Sequence, residues 1–259
     1  MHERTDLLRE FLGRCGNLYS RRYFLGDFMD MWHDTPEDAA RTALCIKELL
    51  EDPRNTLLWG NHDVPYFLPW AQALQCPGFD MTKAIAVSRV LTEDDWKKFR
   101  LAASCQGWLL SHAGLHPLFT GGHTPTHEEV LELADKALTE AQAVGHSMLM
   151  LPGRDRMKAA SLPVGGMTWL DWGRFNPIKG LNQIVGHTIL PEPSVRYLDK
   201  TGKFQTRDLS KWPQIRKQAG RFQSINWCLD TNNAHYGEIH QGQLSIHSLP
   251  ALPATSRLV

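Results

Sequence analysis

Four short apolar runs in this chain end in residues of one kind. Leu25 gives way to Gly26-Asp27-Phe28-Met29-Asp30, and Trp59 to Gly60-Asn61-His62-Asp63. Leu110 gives way to Ser111-His112-Ala113-Gly114, and Val185 to Gly186-His187-Thr188. Short apolar runs stopped by glycine or polar residues read as buried strands. In open α/β sheets, ligand sites gather beyond the carboxyl ends of the strands. If the four ends converge, Asp27, Asn61, His112 and His187 share one site. Their donors are oxygen and imidazole without thiolate, a set that suits manganese, iron, zinc or magnesium. Each motif alone is an ordinary turn; the expectation rests on all four, each after a short strand.

Between these runs the pattern is helical. Leu7, Leu8, Phe11 and Leu12 mark a helix over Thr5–Leu12, and Thr35-Pro36 opens a second. Thr92 with Asp95 opens a helix expected to reach Ala103, and Thr126 with Glu129 opens one reaching Val144. The last third reads as strands, at Ser194–Leu198, Ile225–Leu229, Tyr236–Ile239 and Leu244–Leu249. Alternating α and β followed by a β-rich end predicts an α/β fold: two packed mixed sheets flanked by helices. A chain of 259 residues can bury a core without staples. Its 28 basic and 28 acidic residues balance, which gives no general drive toward nucleic acid or anionic membrane. Cys15, Cys45, Cys76, Cys105 and Cys228 are widely spaced and form no C-x-x-C pair, as in a reduced cytoplasmic protein. No apolar run is long enough to span a membrane, and the charged opening Met1-His2-Glu3-Arg4 is not a signal peptide.

The ordered motifs Gly26-Asp27-Phe28-Met29-Asp30, Gly60-Asn61-His62-Asp63, His112-Ala113-Gly114-Leu115 and Gly186-His187-Thr188 resemble those of calcineurin-like metallophosphoesterases. Asp230-Thr231, Tyr236-Gly237 and the run Leu244–Leu249 look closest to the branch of phosphoprotein phosphatases and bacterial diadenosine tetraphosphate hydrolases. The resemblance implies a single domain over residues 1–259 with an α-β-β-α sandwich and two divalent ions, manganese foremost. In that reading Asp27 bridges the ions, Asn61, His112 and His187 complete the second, and His2 helps hold the first. Two cations about 3.5–4 Å apart can activate a water and clamp phosphoryl oxygens. His62 could give a proton to the leaving oxygen, and Asp30 could orient and charge it.

The chain departs from that pattern twice. His2 stands where the first motif's histidine belongs, but the aspartate two residues before it and the preceding strand are absent from the sequence as it stands, so a missing N-terminal strand is expected. Met31 stands where the branch has a phosphate-gripping arginine; Arg174 is the candidate replacement, with Arg154 and Arg156 weaker ones. The expected activity is metal-dependent hydrolysis of a phosphoester, of the serine/threonine phosphatase type. The alternative is a degenerate binding or scaffold protein that keeps the fold. Phosphoproteins, dinucleoside polyphosphates and small phosphoesters are all candidate substrates. Trp32, Trp59 and Trp70 could stack a base, but core or rim packing is the stronger reading for them.

Overall fold

Capping chemistry places the helix starts where the sequence puts them. The computed structural model describes residues 5–15, 17–31, 33–208 and 222–249. Helix α1 (Thr5–Cys15) runs one turn beyond the expected Leu12. Thr35 caps α2 (Pro36–Glu51) in a reciprocal box with Asp38, and Thr126 does the same with Glu129 for α6 (His127–Val144). Three shorter helices lie between them: α3 (Val64–Phe67), α4 (Met81–Ser88) and α5 (Glu93–Trp96).

The chain is a mixed α/β protein. Strands β1 (Arg22–Phe24) and β2 (Asn55–Leu57) pair in parallel. A six-stranded sheet has the spatial order β3 (Ala102–Cys105), β4 (Trp108–Ser111), β5 (Asn182–Val185), β8 (Phe222–Cys228), β6 (Ser194–Asp199), β7 (Phe204–Asp208). Within it β4, β5 and β8 are parallel, and the outer pairs are antiparallel. A hairpin, β9 (His235–His240) with β10 (Gln243–Ser248), closes the described chain.

Side chains alternate across β4. Leu109 joins the helix-side core with Ile46 of α2 and Val130 and Ala134 of α6. Leu110 joins Ile184, Val195 and Trp227 on the other face, against Tyr23, Ile239, Leu244 and Ile246. The β1–β2 pair and the hairpin therefore share the second face of the large sheet. Two complete facing sheets were expected; among the described residues the second layer is two separate pairs.

The helix expected from Thr92 to Ala103 stops at Trp96, although its Thr92–Asp95 box forms. Arg100 donates its N–H to Leu57 O at 3.0 Å and accepts from Trp59 N at 2.9 Å, and Ala102–Cys105 then pairs with β4. Ladder bonds and burial of Phe99 and Leu101 override local helix propensity there. Trp59 is wholly buried and stacks on Trp96 and Phe67, which confirms its core role; Trp70 is exposed, and Trp32 lies outside the described residues. No helix among the described residues is long and apolar enough to cross a membrane.

Candidate functional site

Parallel strands end on the same side, so parallel pairing brings distant residues together. Asp27 follows β1, Asn61 follows the strand continued by Leu58 and Trp59, His112 follows β4, and His187 follows β5. The Gly186 N–H donates to His112 O at 2.7 Å, which ties the last two ends directly. His112 Nε2 lies 3.2 Å from Asp27 Oδ2, 3.1 Å from Asn61 Oδ1 and 3.1 Å from His187 Nδ1. His112 Nδ1 faces the Leu25 carbonyl at 2.6 Å, so Nδ1 carries a hydrogen. The Asp27 and Asn61 oxygens are acceptors, so lone pairs converge on Nε2 and a positive charge is favoured there. Burial opposes charge on His112, but the Asp27 carboxylate outweighs it and raises the imidazole's pKa. His187 goes the other way: burial and the His112 charge hold it well below the usual range. Its Nε2 is buried without a hydrogen-bond partner.

The loop carrying Asp27 is held by a residue the sequence reading passed over. Asp63 is fully buried, and its carboxylate accepts from Asp27 N at 2.8 Å, Phe28 N at 2.8 Å, Met29 N at 3.2 Å and Gly60 N at 3.0 Å. Burial and the nearby charge of Asp27 push its pKa up to about 6. Asp27, Asp30 and His187 all sit at positive φ (56°, 65° and 67°), a region non-glycine residues seldom adopt. Strain of this kind clusters at working sites because the surroundings must enforce it. Gly60 permits the close approach: a Cβ there would lie 2.2 Å from Asp27 N.

A second network surrounds Asp30. His62 Nδ1 meets Asp30 Oδ2 at 3.1 Å, the Tyr66 hydroxyl donates to Oδ1, and Lys83 Nζ donates to Oδ1 at 2.9 Å. Lys83 also bonds Asp34 at 2.9 Å, and its side chain is only 6% exposed. Burial works against the Asp30 charge, but these donors hold its carboxyl below the usual range. Burial also opposes charge on His62, yet Asp30, the Cys76 side chain and Asp27 outweigh it and raise its pKa to about 11. His62 is therefore a cation at neutral pH. The Cys76 sulfur lies 3.4 Å from His62 Nδ1, and burial pushes its thiol up.

The structure thus brings together Asp27, Asn61, His112 and His187, with Asp30 beside His62. His2 lies outside the described residues. Arg174 is exposed, and among the described residues no side-chain hydrogen bond or ion pair joins it to the cluster. Arg156 stands nearer: its guanidinium bonds Thr188 Oγ1 at 3.2 Å and pairs with Asp171 at 2.9 Å. Gln183 was also unforeseen; its buried amide holds both backbone groups of Leu115 and so fixes the turn after His112. Lone polar residues inside apolar runs, Gln183 and Lys83 among them, were the available signal.

Among the described residues two groups have the spacing to hold a metal ion: Asp27, His112 and His187, and separately Asp30, His62 and Cys76. In the second group the carboxylate is already neutralised by His62 and Lys83. In the first group Asp27 supplies the carboxylate, with its Oδ2 3.2 Å from His112 Nε2.

No family profile and no curated protein matches the sequence. Several solved structures are similar, and two of them illustrate the likeness, each over 95% of the chain. One, titled a cold-active protein tyrosine phosphatase, is 14% identical with a TM-score of 0.52, and 75% of its own length is covered. The other, a cold-active protein-tyrosine phosphatase of a psychrophilic Shewanella species, is 13% identical with a TM-score of 0.48, and 77% of it is covered. The likeness is one of fold. It corrects the assignment to calcineurin-like metallophosphoesterases and their phosphoprotein phosphatase and diadenosine tetraphosphate hydrolase branch. The serine/threonine-type activity and the two divalent ions, manganese foremost, are withdrawn with that assignment, because the similar structure is titled a protein tyrosine phosphatase. The physical reason is that Gly-Asp and Gly-His turns serve strand ends in many α/β sheets, so their order does not fix a family.

Proposed function

We propose that the chain is a phosphatase acting on phosphate monoesters, with aryl phosphates such as phosphotyrosine as the substrate class. The observation that carries this reading is the cationic His62, held by Asp30 beside the converging Asp27, Asn61, His112 and His187. The name borne by the protein of similar fold supports the same reaction class. Both halves of the chain contribute residues, so we read it as one domain.

In this reading His62 is the acid and Asp30 its positioning partner. A water oxygen bonds to phosphorus as the ester P–O bond breaks. His62 gives its proton to the leaving oxygen, and Asp27 takes one from the water. A phenolic leaving group has a pKa of about 10, so transfer from a histidine at about 11 is nearly balanced. Asn61 orients the water as a neutral acceptor. Arg156, rather than the exposed Arg174, is the nearer side chain for the phosphate oxygens, which a guanidinium grips as a fork.

The test is hydrolysis of p-nitrophenyl phosphate, phenyl phosphate and paired phosphotyrosine and phosphoserine peptides, each with EDTA and with manganese. Turnover of aryl phosphates that is lost in His62→Ala supports the reading. A folded protein inert in every arm, or a fully active His62→Ala, refutes it. Strict dependence on manganese would reinstate a metal-activated water.

A further inference from the structure

Cys76 brings sulfur to the edge of the candidate site. Its Sγ lies 3.4 Å from His62 Nδ1 and 3.9 Å from Asp30 Oδ2, and those two atoms are 3.1 Å apart. The three donors make a triangle of nearly even sides. Bonds of about 2.0–2.3 Å from one tetrahedral zinc ion put nitrogen, oxygen and sulfur donors about 3.3–3.6 Å apart. Each side of the triangle is within a few tenths of an ångström of that spacing. Among the described residues with metal-holding spacing, this group alone includes a sulfur.

The two Asp30 oxygens face different partners. The Tyr66 hydroxyl and Lys83 Nζ donate to Oδ1, whereas Oδ2 faces His62 and Cys76. An ion on Oδ2 therefore leaves the buried Lys83 bond in place. Asp30 and Cys76 are buried, while the His62 side chain is 20% exposed, so the imidazole side is the way in for an ion. Charge also balances. With no ion bound, His62 holds a proton toward Asp30, and the Cys76 thiol donates to Asn61 O at 3.4 Å. An entering dication releases both protons to solvent and bonds to Nδ1, to the thiolate and to Oδ2. Two unit charges leave and two arrive, so the group's net charge beside Lys83 does not change.

We infer that Asp30, His62 and Cys76 form an inhibitory zinc site, separate from the Asp27, His112 and His187 group. Thiolate and imidazole ligands favour zinc over magnesium or manganese, which prefer oxygen. Solvent takes the fourth position. Inhibition follows from what the ion does to His62. A protonated imidazole that gives up a proton becomes a neutral ring. A zinc-bound imidazole keeps one N–H, and giving that up leaves an imidazolate, a far stronger base. His62 therefore stops serving as an acid while zinc is bound. The binding of zinc is independent of the proposed reaction; the inhibition rests on that reading.

The experiment loads the full chain with one equivalent of zinc and reads the ion's surroundings by X-ray absorption. We expect one sulfur at about 2.3 Å among nitrogen and oxygen neighbours. An ion held by Asp27, His112 and His187 has no sulfur neighbour, and that result overturns the inference. Cobalt in place of zinc should give a thiolate charge-transfer band that is lost in Cys76→Ser and kept in His187→Ala. A band that survives Cys76→Ser, or zinc displaced by equimolar magnesium, also overturns it. The absorption measurement on the unsubstituted chain stays decisive if Cys76→Ser does not fold. Zinc should inhibit phenyl phosphate hydrolysis more than p-nitrophenyl phosphate hydrolysis, and the half-inhibiting concentration should rise at least tenfold in Cys76→Ser. Sulfur-bound zinc that leaves phenyl phosphate hydrolysis unchanged refutes the inhibitory role. A chain inert on both esters counts against the proposed reaction, and the sulfur neighbour then decides the zinc site by itself.

Discussion

Asp63 offers the sharpest quantitative test, because one carboxylate holds the backbone beneath the whole candidate site. It accepts from four N–H groups, two on each oxygen: Phe28 and Met29 on Oδ1, Asp27 and Gly60 on Oδ2. Asp63→Ala strips the acceptor from all four in a fully buried setting. At about 1 kcal/mol per stranded donor, the low end of the usual range, the loss is about 4 kcal/mol. Asp63→Asn keeps one oxygen and turns an NH₂ toward the other pair, so about 2 kcal/mol is expected. Against a total stability of about 5–15 kcal/mol, both are measurable by urea unfolding. With a slope of about 2 kcal/mol/M, the midpoints fall by about 2 M and 1 M. The raised pKa adds a pH signature. The folded state holds the Asp63 proton more tightly than the unfolded chain does, so this group's contribution lowers stability as pH rises from 3.8 to about 6. That slope should vanish in Asp63→Asn. An Asp63→Ala midpoint within 0.5 M of the parent would refute the account of the loop.

Lys83→Met leaves Asp30 and Asp34 buried without their shared cation, so about 3–5 kcal/mol should be lost in the same unfolding assay. His62, raised to about 11, contributes stability that is complete below its unfolded value of 6.5 and lost as pH rises through about 11. Asp30→Asn should bring that upper edge down, visible as a lower His62 pKa by NMR and a lower alkaline limit of the rate. His62→Ala should cost about 10²–10⁴ in kcat on phenyl phosphate and less on p-nitrophenyl phosphate, whose leaving group needs less protonation. Arg156→Ala should raise KM more than it lowers kcat, measured by steady-state hydrolysis.

The sequence by itself determined the helix starts and the polar strand ends. Thr35, Thr92 and Thr126 cap where their spacing to the third residue requires, because a capping box is closed within four residues. Asp27, Asn61, His112 and His187 were legible for a related reason: each follows a short apolar strand, and parallel strands finish on one side. Family did not follow, since those turn motifs are short and general. Tertiary structure decided what depends on contacts distant in sequence. The Thr92 helix ends early because Arg100 is drawn into a ladder with Leu57 and Trp59, some forty residues away. Asp63 became the anchor of the Asp27 loop, and Lys83 the counter-charge of Asp30, through bonds spanning 36 and 53 residues.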